Sequence, residues 1–196
     1  MKNSTRGAVD PFIVMDVMEA ARQAEAAGRH IIHMEVGQPA TPAPLGARNA
    51  LRDSLNATAM GYTVALGLPE LRAKIADLYG EWYDVDLDSN RVIVTSGSSA
   101  GFLLSFTSLF DAGERVGIGA PGYPSYRQIL KALDLTAVNI PTSAANKFQP
   151  HPTDLADLSL NGLLVASPSN PTGTMLSRGE VGALIEATER SEAAFI

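Results

Sequence analysis

From Arg91 onward the sequence alternates short apolar runs with stretches of helical spacing, and this alternation limits the fold more than any other feature. Val92-Ile93-Val94-Thr95, Arg115-Val116-Gly117-Ile118, Thr136-Ala137-Val138-Asn139-Ile140 and Leu163-Leu164-Val165-Ala166 read as short buried strands. Residues 100–110 and 123–133 read as the helices between them. Ser177-Arg178-Gly179-Glu180 opens a further helix, because Ser-x-x-Glu is the spacing of a capping box. Strand and helix in turn predict an α/β fold: a mostly parallel, doubly wound sheet with helices on both faces. Residues 141–161 are polar and contain proline, and are expected to form a surface excursion. Ala193-Ala194-Phe195-Ile196 reads as the start of one more core strand, so the chain is expected to be a fragment of something longer.

An N-terminal helical arm precedes this region. Asp10 is placed to cap a helix with Pro11 at its first position, and Ile13, Val14, Val17, Met18 and Ala21 keep helical spacing as far as Gly28. Residues 31–36 look extended, and residues 37–44 hold three prolines and must be a loop. Helices are predicted over 45–57 and 69–83, the second with Leu71, Ile75, Leu78, Tyr79 and Trp82 on one face.

Composition removes several classes of function. Apolar residues are 45% and charged residues 18% of the 196, which suits a globular chain and not a disordered one. Fifteen basic against twenty-one acidic residues give a net charge of −6 with no basic cluster, so neither nucleic acid nor an anionic membrane is an expected partner. Without cysteine there is no disulfide, zinc–thiolate site or thiol nucleophile, which fits a cytoplasmic protein. Met1-Lys2-Asn3-Ser4-Thr5-Arg6 leads into no apolar segment of a signal peptide, and no run approaches the about eighteen apolar residues of a membrane span. His30, His33 and His151 lack further ligands at suitable spacing, so no metal site is expected.

Chemistry-bearing residues collect at strand–helix junctions, where open α/β sheets bind ligands. In Thr95-Ser96-Gly97-Ser98-Ser99-Ala100, Gly97 permits a tight turn and Ser98 and Ser99 put hydroxyls and N–H groups at a helix start. That is a phosphate site, or else simple helix capping. Tyr123, between Pro121 and Pro124, is held stiffly enough to stack on a flat ring, or it packs beneath a turn. Asn170, in Ser167-Pro168-Ser169-Asn170-Pro171-Thr172-Gly173, is a single amide held between two prolines and a glycine. Tyr62 precedes a Gly67–Pro69 turn and by itself is an ordinary partly buried aromatic. Gly37 either lets backbone N–H approach an anion or is a plain loop glycine.

Together these segments resemble the class I/II aminotransferase family of fold-type I pyridoxal-phosphate enzymes. Residues 167–173 match its Ser-x-x-Asn-Pro-Thr-Gly signature, 92–97 its Val-x-Val-Thr-x-Gly stretch, 121–126 its Pro-x-Tyr-Pro-x-Tyr element, 62–72 its Tyr-x-x-x-x-Gly-x-x-x-Leu-Arg and 37–39 its Gly-x-Pro. The resemblance implies pyridoxal 5'-phosphate as cofactor, with Gly97, Ser98 and Ser99 at the phosphate and Tyr123 stacked on the ring. It implies that Asn170 donates to the phenolic oxygen and helps seat substrate, and that Gly37 lies by the substrate carboxylate. Tyr62 would reach the phosphate of a neighbouring subunit, which requires a homodimer. Tyr126 is expected to pack instead. Cis bonds are implied at Ala120-Pro121 and Asn170-Pro171.

The resemblance covers about the first half of a family member: an arm and small-domain segment over 1–44, then an incomplete cofactor domain over 45–196. No catalytic residue is expected in this chain, because the family's Schiff-base lysine lies beyond Ile196 and Lys2, Lys74, Lys131 and Lys147 sit in none of its contexts. The implied reaction moves an amino group between an amino acid and a 2-oxo acid, and the 196-residue chain alone is expected to be inactive. A carbon–sulfur β-lyase of the same fold, a pyridoxal-sensing module fused to a DNA-binding domain and a non-catalytic truncated product are the alternatives.

Overall fold

The computed structural model describes residues 2, 4–57, 59 and 61–196. The chain divides into two compact units, one Ile13–Ser96 and the other Met1–Phe12 with Gly97–Ile196. The first holds helices α1 (Ile13–Ala26), α2 (Leu45–Ala57) and α3 (Pro69–Tyr83). The bounds of α2 and α3 are those that the apolar spacing predicts. Helix α1 begins at Ile13, so Asp10 and Pro11 do not start it. Asp10 belongs to the other unit, where its carbonyl accepts from Gln128 Nε2 at 3.0 Å and its carboxylate lies 3.7 Å from Lys131 Nζ.

The expected strand over 92–95 is not one, and the segment over 31–36, which looks extended in sequence, joins no sheet. Residues 31–36 and 92–95 have no ladder partner among the described residues, and a strand exists only through its ladder. Residues 92–94 are instead tied down singly. The Arg72 guanidinium, 9% exposed, donates from Nε to the Val92 carbonyl and from Nη2 to the Ser89 carbonyl, each at 2.8 Å. Val94 N–H donates to Leu66 O at 3.0 Å, beside Gly67 at φ +98°. A Cβ on Gly67 would stand 2.5 Å from Val94 Cγ2, so only glycine fits this turn.

The second unit holds helix α4 (Ser98–Leu109), strands β1 (Arg115–Ala120), β2 (Thr136–Pro141), β3 (Gly162–Leu164) and β4 (Ala194–Phe195), and helices α5 (Pro124–Ala132) and α6 (Arg178–Arg190). The strands are parallel in the order β2-β1-β3-β4. Side-chain alternation sorts the core onto two faces. Val116 and Ile118 of β1 and Leu164 of β3 pack with Phe106 of α4 and Leu130 of α5. Ile140 of β2 and Leu163 of β3 pack with Leu184 of α6. Helices therefore cover both faces, as a doubly wound sheet requires. Gly117 keeps the α6 face closed, since a Cβ there would meet Leu160 at 2.7 Å and Ile140 at 3.0 Å.

Chain order reverses direction across β1: β2 lies on one side and β3 on the other. The carboxyl ends of β1 and β3 thus flank a topological switch point, the place where ligands bind in open α/β sheets. Residues 141–161 are not simply a surface excursion. Short 3-10 turns at Ala144–Asn146 and Pro152–Asp154 bracket Gln149 and Pro150, both buried. The amide of Gln149 finds backbone partners inside, and Pro150 packs beside Gly119 of β1.

Candidate functional site

Three turns of the second unit carry sequence-predicted residues. After β1 the chain passes through Pro121 and Gly122 to Tyr123, the N-cap of α5, with Pro124 in the first helical turn. A Cβ on Gly122 would stand 2.5 Å from the Gly119 carbonyl oxygen, so the turn demands glycine. After β3, residues 167–173 form a loop closed by Ser169 N–H to Thr174 O at 2.9 Å and Gly173 N–H to Ser169 O at 2.7 Å. Gly173 takes φ +69°, a conformation that glycine adopts without a Cβ penalty. The Ala120-Pro121 and Asn170-Pro171 bonds are cis as the resemblance implies, and Ser167-Pro168, which nothing in the sequence singled out, is cis as well.

The third turn starts α4. Gly97 (φ +82°, ψ 172°) is its N-cap and has no side chain with which to cap it. Side chains cap elsewhere in the same unit: Ser143, His151 and Ser177 each accept from a backbone N–H at a helical start. At α4 the hydroxyls of Ser98 and Ser99 are exposed instead. Ser99 Oγ lies 3.4 Å from Ser125 Oγ, which sets the α4 start against the first turn of α5.

A small crevice joins the two strand ends, lined by Gly119, Pro121 and Tyr126 on the β1 side and by Ala166 and Asn170 on the β3 side. The half-buried Tyr123 ring meets Tyr126 edge-on at 5.4 Å and Phe12 edge-on at 6.0 Å. Tyr126 packs against the α4–α5 core cluster, as expected, and burial with Tyr123 beside it pushes its hydroxyl pKa up. Thus Asn170 lines the crevice with Tyr126, Tyr123 packs on Tyr126, and the α4 start at Gly97–Ser99 is tied to the α5 start through Ser99 and Ser125.

Gly37 and Tyr62 lie in the Ile13–Ser96 unit. Both are exposed, and Tyr62 is fully so at 109%. Gly37 follows a clamp in which His33 reaches Glu35 at 2.7 Å through Nδ1 and Glu25 at 2.9 Å through Nε2. The hydrogen bonds to Glu35, and next to Glu25, raise the imidazole pKa to about 9. Among the described residues no group of three or more His, Cys, Asp or Glu side chains could hold a metal ion. No helix among them is long and apolar enough to cross a membrane.

Gln149 and Thr174 escaped the sequence reading. Gln149 is 4% exposed and donates from Nε2 to Ala166 O at 3.1 Å and Thr174 O at 3.0 Å. It stands in a polar, proline-containing stretch without periodicity, where nothing marks one amide as buried.

Fold and site together define a doubly wound α/β protein with polar groups gathered at its switch point. The family model for aminotransferases of class I and II matches residues 29–196, and the chain belongs to this family. It is similar to the valine–pyruvate aminotransferase of Mycobacterium tuberculosis, with 42% identity across 97% of this chain and 50% of the relative. A solved structure from Silicibacter pomeroyi shares 64% identity and superposes with a TM-score of 0.89 over 100% of this chain and 50% of its own. The crystal structure of an aminotransferase from Mycobacterium tuberculosis gives 40% identity and a TM-score of 0.94, over 100% of this chain and 51% of its own. The chain spans about half the length of these relatives.

Proposed function

We propose that the protein to which this chain belongs is a pyridoxal-phosphate-dependent aminotransferase, exchanging an amino group between an amino acid and a 2-oxo acid. The observation that carries the reading is the crevice between the β1 and β3 ends that Asn170 lines, with the glycine-capped α4 start tied to the α5 turn through Ser99 and Ser125. This donor set fits the cofactor. A helix start with a glycine N-cap and two exposed hydroxyls suits a phosphate, a rigid half-buried tyrosine suits a flat ring, and a lone amide suits a phenolic oxygen.

Bound there, the cofactor supplies an electron sink for the pair left when the α-proton of an amino acid is removed. Ser98 and Ser99 would hold the phosphate through hydroxyls and the positive end of α4. Tyr123 would stack on the ring. Asn170 would donate to the phenolic oxygen, stabilise its anionic form and help orient substrate. Gly37, in the Ile13–Ser96 unit, keeps the substrate-carboxylate role that the family resemblance implies.

Three lysines form ion pairs elsewhere: Lys74 with Asp77 at 2.9 Å, Lys131 with Asp10 at 3.7 Å and Lys147 with Glu180 at 3.2 Å. The lysine that bonds the cofactor therefore belongs, on this reading, to the half of the family that the chain does not span. A homodimer, in which exposed Tyr62 reaches the neighbouring phosphate, is part of the same proposal. So are a cytoplasmic location and the division into an arm over 1–44 and a cofactor domain over 45–196.

The test is an assay of the full-length protein with added cofactor. Valine and pyruvate are the first pair to use, because a relative 42% identical carries that name. Formation of alanine that requires both substrates supports the reading. Release of pyruvate and ammonia from a sulfur amino acid, with no transfer to any 2-oxo acid, would replace it with a β-lyase.

A further inference from the structure

We propose that Gln149 is the positioning residue of the Asn170 loop. Its amide lies across the base of residues 167–173. One NH2 group donates to Ala166 O, immediately before the loop, at 3.1 Å and to Thr174 O, immediately after it, at 3.0 Å. Both partners are carbonyl oxygens, so only the NH2 end of the side chain can face them. The same group also approaches Thr174 Oγ1 at 3.5 Å.

The side chain is 4% exposed, and its neighbours show that it is aimed deliberately. Lys147 and Phe148 both take positive φ, 55° and 54°, a conformation that L-residues adopt only when the surroundings impose it. Two such residues in succession turn the chain so that Gln149 points inward and Lys147 outward, to Glu180 at 3.2 Å. Gln149 also lines the crevice that Asn170 lines.

Within the loop, Ser169 N–H and Gly173 N–H are held by Thr174 O and Ser169 O. The Asn170 backbone is thus fixed from the Thr174 side, and Thr174 is fixed by Gln149. With the amide removed, two carbonyls at the loop base lose a donor that neither water nor an apolar side chain replaces in that buried place. Gln149 does not touch reacting atoms. It acts through Asn170, and this consequence for the cofactor rests on the proposed function.

The test uses the full-length protein and the variants Gln149→Met, Gln149→Glu and Asn170→Ala. Met keeps the volume without donors, and Glu keeps the shape but at neutral pH only accepts. Amide hydrogen exchange of the cofactor-free protein is expected to speed up roughly tenfold at Ser169 and Gly173 in both Gln149 variants, with β1 amides unchanged. In the loaded protein, Gln149→Met is expected to shift the pH titration of the cofactor's absorbance in the same direction as Asn170→Ala. Wild-type exchange at both loop amides overturns the proposal. So does a wild-type titration in Gln149→Met when Asn170→Ala moves it, since that leaves Gln149 only a stabilising role. If Asn170→Ala leaves the titration unmoved, the cofactor reading fails, and the loop exchange rates alone decide for or against Gln149.

Discussion

Glu180 and His33 show how single side chains set local pH dependence. Ser177 N–H donates to Glu180 Oε2 at 2.6 Å and the Ser177 hydroxyl accepts from Glu180 N–H. Hydrogen bonds from Ser177, and then Lys147, lower the Glu180 carboxyl to about 2. A depressed acid contributes stability that is present above its unfolded value of 4.5 and lost as pH falls toward about 2. Ser177→Ala should cost about 1 kcal/mol by chemical denaturation at pH 7, and should weaken the acid dependence below pH 4.5. His33 has the opposite sign. Its pKa is raised from 6.5 to about 9, so its contribution is complete below 6.5 and lost as pH rises through about 9. An NMR titration of its ring should find the high midpoint, and Glu35→Gln should bring it down; a midpoint near 6.5 in the wild type would show that the clamp is not formed in solution. Of the proposed site residues, the sequence marked those at strand–helix junctions, because glycine, proline and hydroxyl residues punctuate such turns. It did not mark Gln149, whose role comes from burial against Ala166, 17 residues further on at the base of the loop.

At the scale of elements, helices were legible where apolar spacing is continuous, and strands only where a partner is present. Helices α2 and α3 have their predicted bounds, and Ser177 caps α6 as its spacing requires. Residues 31–36 and 92–95 have strand composition, but the ladder that makes a strand is a tertiary property. Helix α6 is held to its sheet face by Leu184, which is 0% exposed between Ile140 and Leu163. Leu184→Ala should cost about 2–5 kcal/mol in urea unfolding, against less than about 0.5 kcal/mol for a substitution at exposed Glu186. Equal effects would show that α6 does not pack as described. Gly67→Ala should destabilise the Ile13–Ser96 unit by about 1–3 kcal/mol, since it combines a positive φ with a Cβ 2.5 Å from Val94 Cγ2.

For the whole molecule, parallel order across β1 decides where a ligand can sit. Strand sequence predicted the parallel sheet, yet the switch point follows from strand order, which only the fold supplies. The chain spans about half the length of its relatives, and the proposal assigns the phosphate, ring and phenolic-oxygen contacts of the cofactor to this chain and the bonding lysine to the rest of the protein. The most direct test is a crystal structure of the full-length protein grown with pyridoxal 5'-phosphate. The phosphate is expected at the α4 start within hydrogen-bond distance of Ser98 and Ser99, the ring against Tyr123 and the Asn170 amide at the phenolic oxygen. Cofactor density elsewhere in the molecule, or a phosphate held away from Gly97–Ser99, would contradict it.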